Sequence, residues 1–277
     1  MQNNSKNGLK VFVNKNITGA LNFENDTYIF NYKYDAKDIV SLTMPIRSAS
    51  WNSKKLHPIF QMNMPEGALK ETIKNYFSKI ETMSDINMLK LIGPYMLGRV
   101  KFEEIKDVQD NLNLDDILNS SKQNLFDELL IKFAIKSGIS GVQPKLLLKA
   151  FDKTTMKFEN YIVKSWENNY PNLALNEYFC MKACSYAKLP TPEFYISDDF
   201  KMFVMKRFDI LEDGTYLGFE DMCVLTARGV ENKYDGSYED CARVIKDIIS
   251  PQYKKESLKI FFKSLVMNHL LKMVMLI

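Results

Sequence analysis

Ser140-Gly141-Val142-Gln143-Pro144-Lys145, running directly into Leu146-Leu147-Leu148, is the stretch whose reading decides the fold. A glycine-bearing turn that opens an apolar strand brings backbone amides close to whatever binds there. The lysine at its end adds a positive charge, and the two together suit a phosphate. It is neither a Walker A loop, since no Gly-Lys-Ser/Thr follows, nor Gly-x-Gly-x-x-Gly. Outward from the turn, a helix is expected from Leu125 to about Lys136 on one side. On the other come strands at Lys145–Lys149 and Tyr161–Ser165, a helix over Leu173–Tyr186, and strands at Phe194–Ile196 and Phe203–Lys206. Only helices follow, over Phe219–Ala227, Tyr238–Ile249 and from about Glu256 onward.

Upstream, residues 8–104 read as a separate strand-rich unit. Leu9, Val11 and Val13 alternate with polar residues, as do Tyr28, Phe30 and Tyr32. Pro65-Glu66-Gly67 opens a helix to about Phe77 with Leu69, Ile73 and Phe77 on one stripe, and Asp85 caps a second helix ending at Gly93. The polar residues 105–124 form a linker with one short helix. The fold class is therefore α+β: the N-terminal subdomain (8–104), a second strand-and-helix unit with the turn at its centre (125–209), and a helical region (210–277).

The 277 residues are 46% hydrophobic and 26% charged, enough for two units with a sizeable core. A net charge of +3 is too mild to argue for direct nucleic-acid binding. The N-terminus lacks an apolar signal region, no stretch has the length of a membrane span, and the setting expected is cytoplasmic with reduced thiols. Two histidines, His57 and His269, and four cysteines supply a metal cage poorly, so no metal site is expected. Cys180 and Cys184, four apart on a helix, read as small buried hydrophobes.

Turn, strand, lysine-bearing strand, helix with a glutamate, two further strands, connecting segment and helices is the order of a protein-kinase N-lobe passing into a helical C-lobe. Phosphoryl transfer is mostly positioning and charge neutralisation, which is what a covering loop and a strand lysine supply. Lys164, in Tyr-Ile-Val-Lys, stands where that lysine belongs. More specifically, Ser-Gly-Val-Gln-Pro-Lys (140–145), Tyr-Ile-Val-Lys (161–164), Asn-Glu-Tyr-Phe-Cys-Met (176–181), Lys-Arg-Phe-Asp (206–209), Phe-Glu-Asp-Met-Cys (219–223) and Lys-Tyr-Asp-Gly-Ser-Tyr-Glu (233–239) resemble the HipA family over about 150 residues. Ser41-Leu-Thr-Met-Pro45, Met64-Pro-Glu-Gly67 and Ile92-Gly-Pro-Tyr-Met-Leu-Gly98 extend the resemblance to the N-terminal unit.

The resemblance implies an ATP-dependent serine/threonine protein kinase that is the toxin of a bacterial toxin–antitoxin system. Its partners would be a HipB-type helix-turn-helix antitoxin and a protein substrate. It implies that Ser140, Gly141, Val142, Gln143, Pro144 and Lys145 cradle the ATP phosphates and that Lys164 contacts them. Lys206, Arg207 and Phe208 would be the hinge at the adenine, and Asp209 would meet the ribose. Glu177 is either the helix partner of Lys164 or a solvated acid favoured by the helix dipole. The family's loop serine, which it phosphorylates on itself, falls at Gly138, leaving Ser137 or Ser140 as substitutes.

The chain departs from the family after Lys272. A catalytic loop of the type Asn-Gly-Asp-Ala-His-Leu-Lys-Asn, with the base and a magnesium ligand, is expected there, but Met273-Val274-Met275-Leu276-Ile277 stands instead. Loss of one adenine from AAA AAT GGT GAT GCT CAT TTA AAA would give Lys-Met-Val-Met-Leu-Ile and a stop, so a frameshift truncation is expected. The C-lobe is then incomplete, no catalytic residue is present, magnesium belongs only to a full-length relative, and ATP binding is weak or absent. Two other readings stand beside the kinase. One is a non-catalytic binder of the antitoxin. The other is a non-functional product whose Ile260, Phe261, Leu265, Val266 and Leu270 lack partner helices.

Overall fold

Alternating apolar residues build two antiparallel sheets, one in each half of the chain. The computed structural model describes residues 8–77, 84–104, 112–166, 170–233 and 235–272. The first sheet holds β1 (Leu9–Val13), β2 (Asn16–Glu24), β3 (Thr27–Tyr32), β4 (Trp51–Ser53) and β5 (Val100–Phe102), in the order β4-β3-β2-β1-β5. Between β4 and β5 lie α1 (Pro58–Gln61), α2 (Gly67–Phe77) and α3 (Asp85–Ile92). Next come α4 (Leu114–Leu118) and α5 (Leu125–Phe133), then the second sheet, with β6 (Lys145–Asp152), β7 (Lys157–Lys164), β8 (Phe194–Ile196) and β9 (Phe203–Lys206) in the order β6-β7-β9-β8. Helix α6 (Leu173–Tyr186) crosses between β7 and β8, and α7 (Met222–Leu225), α8 (Tyr238–Ile248) and α9 (Pro251–Leu271) complete the described chain. The architecture is α+β, and no described helix is long and apolar enough to cross a membrane.

The apolar run after the turn is continuous because β6 is buried on both faces. Leu146, Leu148 and Ala150 pack with Tyr161, Val163 and Val204 under Leu114, Ile117, Leu129 and Phe133 of α4 and α5. Leu147 and Ile162 face the other way, into a cluster that continues through Ala134 and Ile139 to Val11, Phe30, Phe60, Leu69, Ile92 and Phe102 of the N-terminal half. The second sheet is thus wedged between its own helices and the N-terminal unit. On α6, Cys180 and Cys184 are buried as the spacing predicts.

Several boundaries move for identifiable reasons. Ser84, not Asp85, caps α3, its Oγ accepting from the Asn87 N–H at 3.3 Å, and Asp85 is the first helical residue. The helix expected over Phe219–Ala227 shrinks to α7. Glu220 is drawn to Ser41 Oγ (2.7 Å) and the Leu42 N–H (2.8 Å), which keeps the preceding residues out of the helix. Ala227, at a φ of 57°, then ends it. Helix α9 begins at Pro251, earlier than Glu256, because proline is well suited to a first helical position. On α9, Val266 and Leu270 are exposed as expected, together with Phe262, while Ile260, Phe261 and Leu265 are half-buried. The Met273–Ile277 tail and residues 105–111 of the linker lie outside the described residues.

Candidate functional site

The antiparallel register of β6 and β7 makes Lys145 and Lys164 direct partners across the strands. Directly opposed residues share a face, and like charges so placed are unfavourable. The two lysines are handled differently. Lys164 is ion-paired through Nζ to Glu177 Oε1, one turn into α6, and both side chains are mostly buried. Of the two readings open for Glu177, the helix partner is the one the structure realises. Lys145 is buried, and its Nζ donates to the Ser140 carbonyl at 3.1 Å. Among the described residues no carboxylate lies within ion-pairing distance of it. Burial first, and the neighbouring Lys164 second, push the Lys145 ammonium down to about 8, offset in part by Glu177 and Glu66.

The turn itself is braced on both sides. Gly141 sits at a φ of 113°, which favours glycine, and a Cβ there would lie 2.2 Å from Lys145 Nζ. Gln143 Nε2 donates to the Ser165 carbonyl (2.9 Å), and the Ser165 N–H donates to the Pro144 carbonyl (2.9 Å), tying the turn to the end of β7. Val142 is exposed. Gly138 forms a parallel bridge with Met96, and the Leu97 N–H donates to its carbonyl at 3.1 Å. A Cβ at Gly138 would fall 2.6 Å from Met96 Cα, so a serine cannot stand there without parting the two backbones. Of the substitutes, Ser137 is fully buried: its Oγ donates to the Phe133 carbonyl (2.8 Å) and accepts from the Leu147 N–H (2.8 Å). Ser140 is half-buried at the turn.

Lys206, Arg207 and Phe208 lie where β9 ends, beside the middle of β7. Tyr161 pairs with Lys206, so this segment is three strand residues, roughly 10 Å, from Lys164. The Lys206 and Arg207 N–H groups are taken by the Glu193 and Asn160 carbonyls, each at 2.8 Å, and Lys206 Nζ pairs with Glu159 at 3.0 Å. The Phe208 N–H has no partner among the described residues, and its ring is exposed. Asp209, expected at the ribose, lies at the end of this segment. It is buried, receiving Arg207 Nε (2.9 Å) and Nη2 (2.7 Å) and the Gly98 N–H (2.7 Å). Burial alone would raise its carboxyl, but Arg207, the Gly98 N–H and Lys101 hold it below the ordinary value. Its oxygens face the N-terminal unit and are spent on a clamp.

Two residues of the site escaped the sequence reading. Glu66, just before α2, pairs with Lys233 at 3.5 Å, and both side chains are mostly buried. They stand 167 positions apart, so no local pattern joins them, although each lies inside a motif singled out above.

The HipA N-terminal domain model matches residues 9–103, and the HipA-like C-terminal domain model matches residues 137–273. The chain belongs to the HipA family. An uncharacterized protein of Haemophilus influenzae is 32% identical over 98 residues, which are 35% of this chain and 92% of that relative. Among solved structures, HipA of Shewanella oneidensis MR-1, determined in complex with HipB and its operator DNA, superposes with a TM-score of 0.63 at 18% identity. The alignment covers 94% of this chain and 68% of that one.

Proposed function

We propose that the turn and the two strand lysines bind the phosphates of ATP. On this reading the chain is the nucleotide-binding part of a HipA-type serine/threonine protein kinase, the cytoplasmic toxin of a toxin–antitoxin pair, with a HipB-type antitoxin as partner. The observation that carries the reading is Lys145 buried opposite Lys164 with, among the described residues, no carboxylate of its own. A fold tolerates such a conflict where a ligand relieves it. A polyphosphate fits: it brings anionic oxygens to a cation whose partner among the described residues is a neutral carbonyl, beside a glycine-bearing turn. Glu177 orients Lys164, as the helix acid does in kinases. The exposed Phe208 and its N–H stand at a nucleotide's length from Lys164, suited to a base.

When bound, ATP would supply the phosphoryl group, and the residues described here bind and orient it. Calorimetric titration with ATP tests the site. Lys164→Met should weaken binding about tenfold or more, the worth of a hydrogen bond to a charged group. Equal affinity of the variant and the parent chain would overturn the assignment.

A further inference from the structure

Three lysines, not two, converge on the turn. Lys233 follows the single helical turn Val230–Asn232, and its backbone is held by Cys223 Sγ on its carbonyl at 3.4 Å. Its Nζ is met by Glu66 of the N-terminal unit. Glu66 is delivered to the turn by its neighbour: a Cβ on Gly67 would lie 2.4 Å from the Val142 carbonyl oxygen, so the start of α2 rests directly on the turn. Both Glu66 and Lys233 act electrostatically on Lys145, the first favouring its charge and the second opposing it. Among the described residues the cluster includes Lys145, Lys164 and Lys233 with Glu66 and Glu177.

The two carboxylates differ in what surrounds them. Glu177 is fixed on a full helix of the same unit as its lysine. Glu66 comes from another part of the chain, across a longer contact of 3.5 Å. It also lines a cleft of about 840 Å³ between the N-terminal unit and residues 227–232, so its carboxylate has open space to turn into.

We infer that Lys233 is a third phosphate ligand and that Glu66 is a resident anion, supplied by the N-terminal unit, which the ATP phosphates displace. The inference rests on the reading of the site as an ATP site and deepens it. A carboxylate on a phosphate cation competes with the ligand, and the coupling is reciprocal: whatever lifts Glu66 tightens ATP, and ATP frees Glu66. The N-terminal unit thereby sets the affinity of a site whose lysines lie in the other half of the chain.

The test is calorimetric titration of the full chain and of Glu66→Gln, Lys233→Met, the double variant and Lys164→Met with ATP and with AMP. Glu66→Gln should bind ATP about three- to tenfold more tightly and AMP unchanged, since only a phosphate chain reaches the exchanged cation. Lys233→Met should weaken ATP about tenfold, and in that background Glu66→Gln should give no gain. A merely structural Glu66 would shift ATP and AMP alike. If Lys164→Met weakens ATP while Glu66→Gln leaves it unchanged or weaker, the exchange is wrong and the ATP site stands. If Lys164→Met changes nothing, the ATP site falls and the exchange with it. Should Glu66→Gln lower the melting temperature, Lys233→Met decides, and unchanged ATP affinity in that variant overturns the inference.

Discussion

Lys145 is a residue at which the sequence and its fold collide. An ammonium at the start of a strand buried on both faces costs stability, and its folded-state value of about 8 against the ordinary 10.5 expresses that cost. Between these values the unfolded chain binds more protons than the folded one. Stability therefore rises with pH through this window, and the full cost is present below about 8. An anion reverses the preference by favouring the charged form. ATP binding near pH 8 should thus take up protons, close to half a proton per site, seen as a buffer-dependent calorimetric enthalpy, and affinity should fall from pH 7 to 9. Lys145→Met should abolish both the uptake and the fall. The turn, Lys145 and Lys164 were legible because strand register and local charge lie within 25 residues. The clamp at Asp209 was only half legible: Arg207 is two positions away, but Gly98 is 111 positions away.

At the scale of the element, periodic segments declared themselves and short ones did not. Helix α6 and strands β8 and β9 stand where the residue pattern puts them. Strands β4 and β5, three residues each, owe their existence to pairing with β3 and β1 and carry no period of their own. Helix α1 is only four residues long and depends on its cap. His57 Nδ1 accepts from the Ile59 N–H at 3.3 Å, and burial pushes the imidazole down to about 4. Its folded value lies below the ordinary 6.5, so between them the folded chain binds fewer protons and stability falls as pH drops from 6.5 toward 4. The loss should approach ~3 kcal/mol at the acid end, at about 1.4 kcal/mol for each factor of ten. In denaturant titrations at stepped pH, His57→Asn, which keeps an oxygen acceptor at the cap, should flatten this slope. A slope that survives the substitution would place the acid sensitivity elsewhere.

At the scale of the whole molecule, the N-terminal motifs acquire a physical meaning that their sequence could not convey: each grips the kinase-like half. Ser41 and Leu42 hold Glu220, Gly67 rests on Val142, and the segment through Met96, Leu97 and Gly98 bridges Gly138 and clamps Asp209. Lys101 lies buried beside this clamp, its ammonium bonded to the Met96 carbonyl and 4.2 Å from the centre of the Tyr216 ring. Burial, and then Arg207, push it well below an ordinary lysine, with Asp209 offsetting part of the shift. With a shared apolar cluster behind these contacts, the two halves should unfold together although the sequence divides them. The chain supplies its own reporters, Trp51 in the first sheet and Trp166 just beyond β7. Two single-tryptophan variants, Trp51→Phe and Trp166→Phe, should give denaturation curves with a common midpoint, and separated midpoints would mean independent halves. Asp209→Asn removes the charge that answers Arg207, whose side chain is only 8% exposed, and should cost about 3–5 kcal/mol, as breaking a buried pair does. The two midpoints part in that variant if the clamp, rather than the shared apolar cluster, carries the coupling between the halves. If Asp209→Asn lowers both midpoints equally, the apolar cluster alone couples the halves and the clamp adds only local stability.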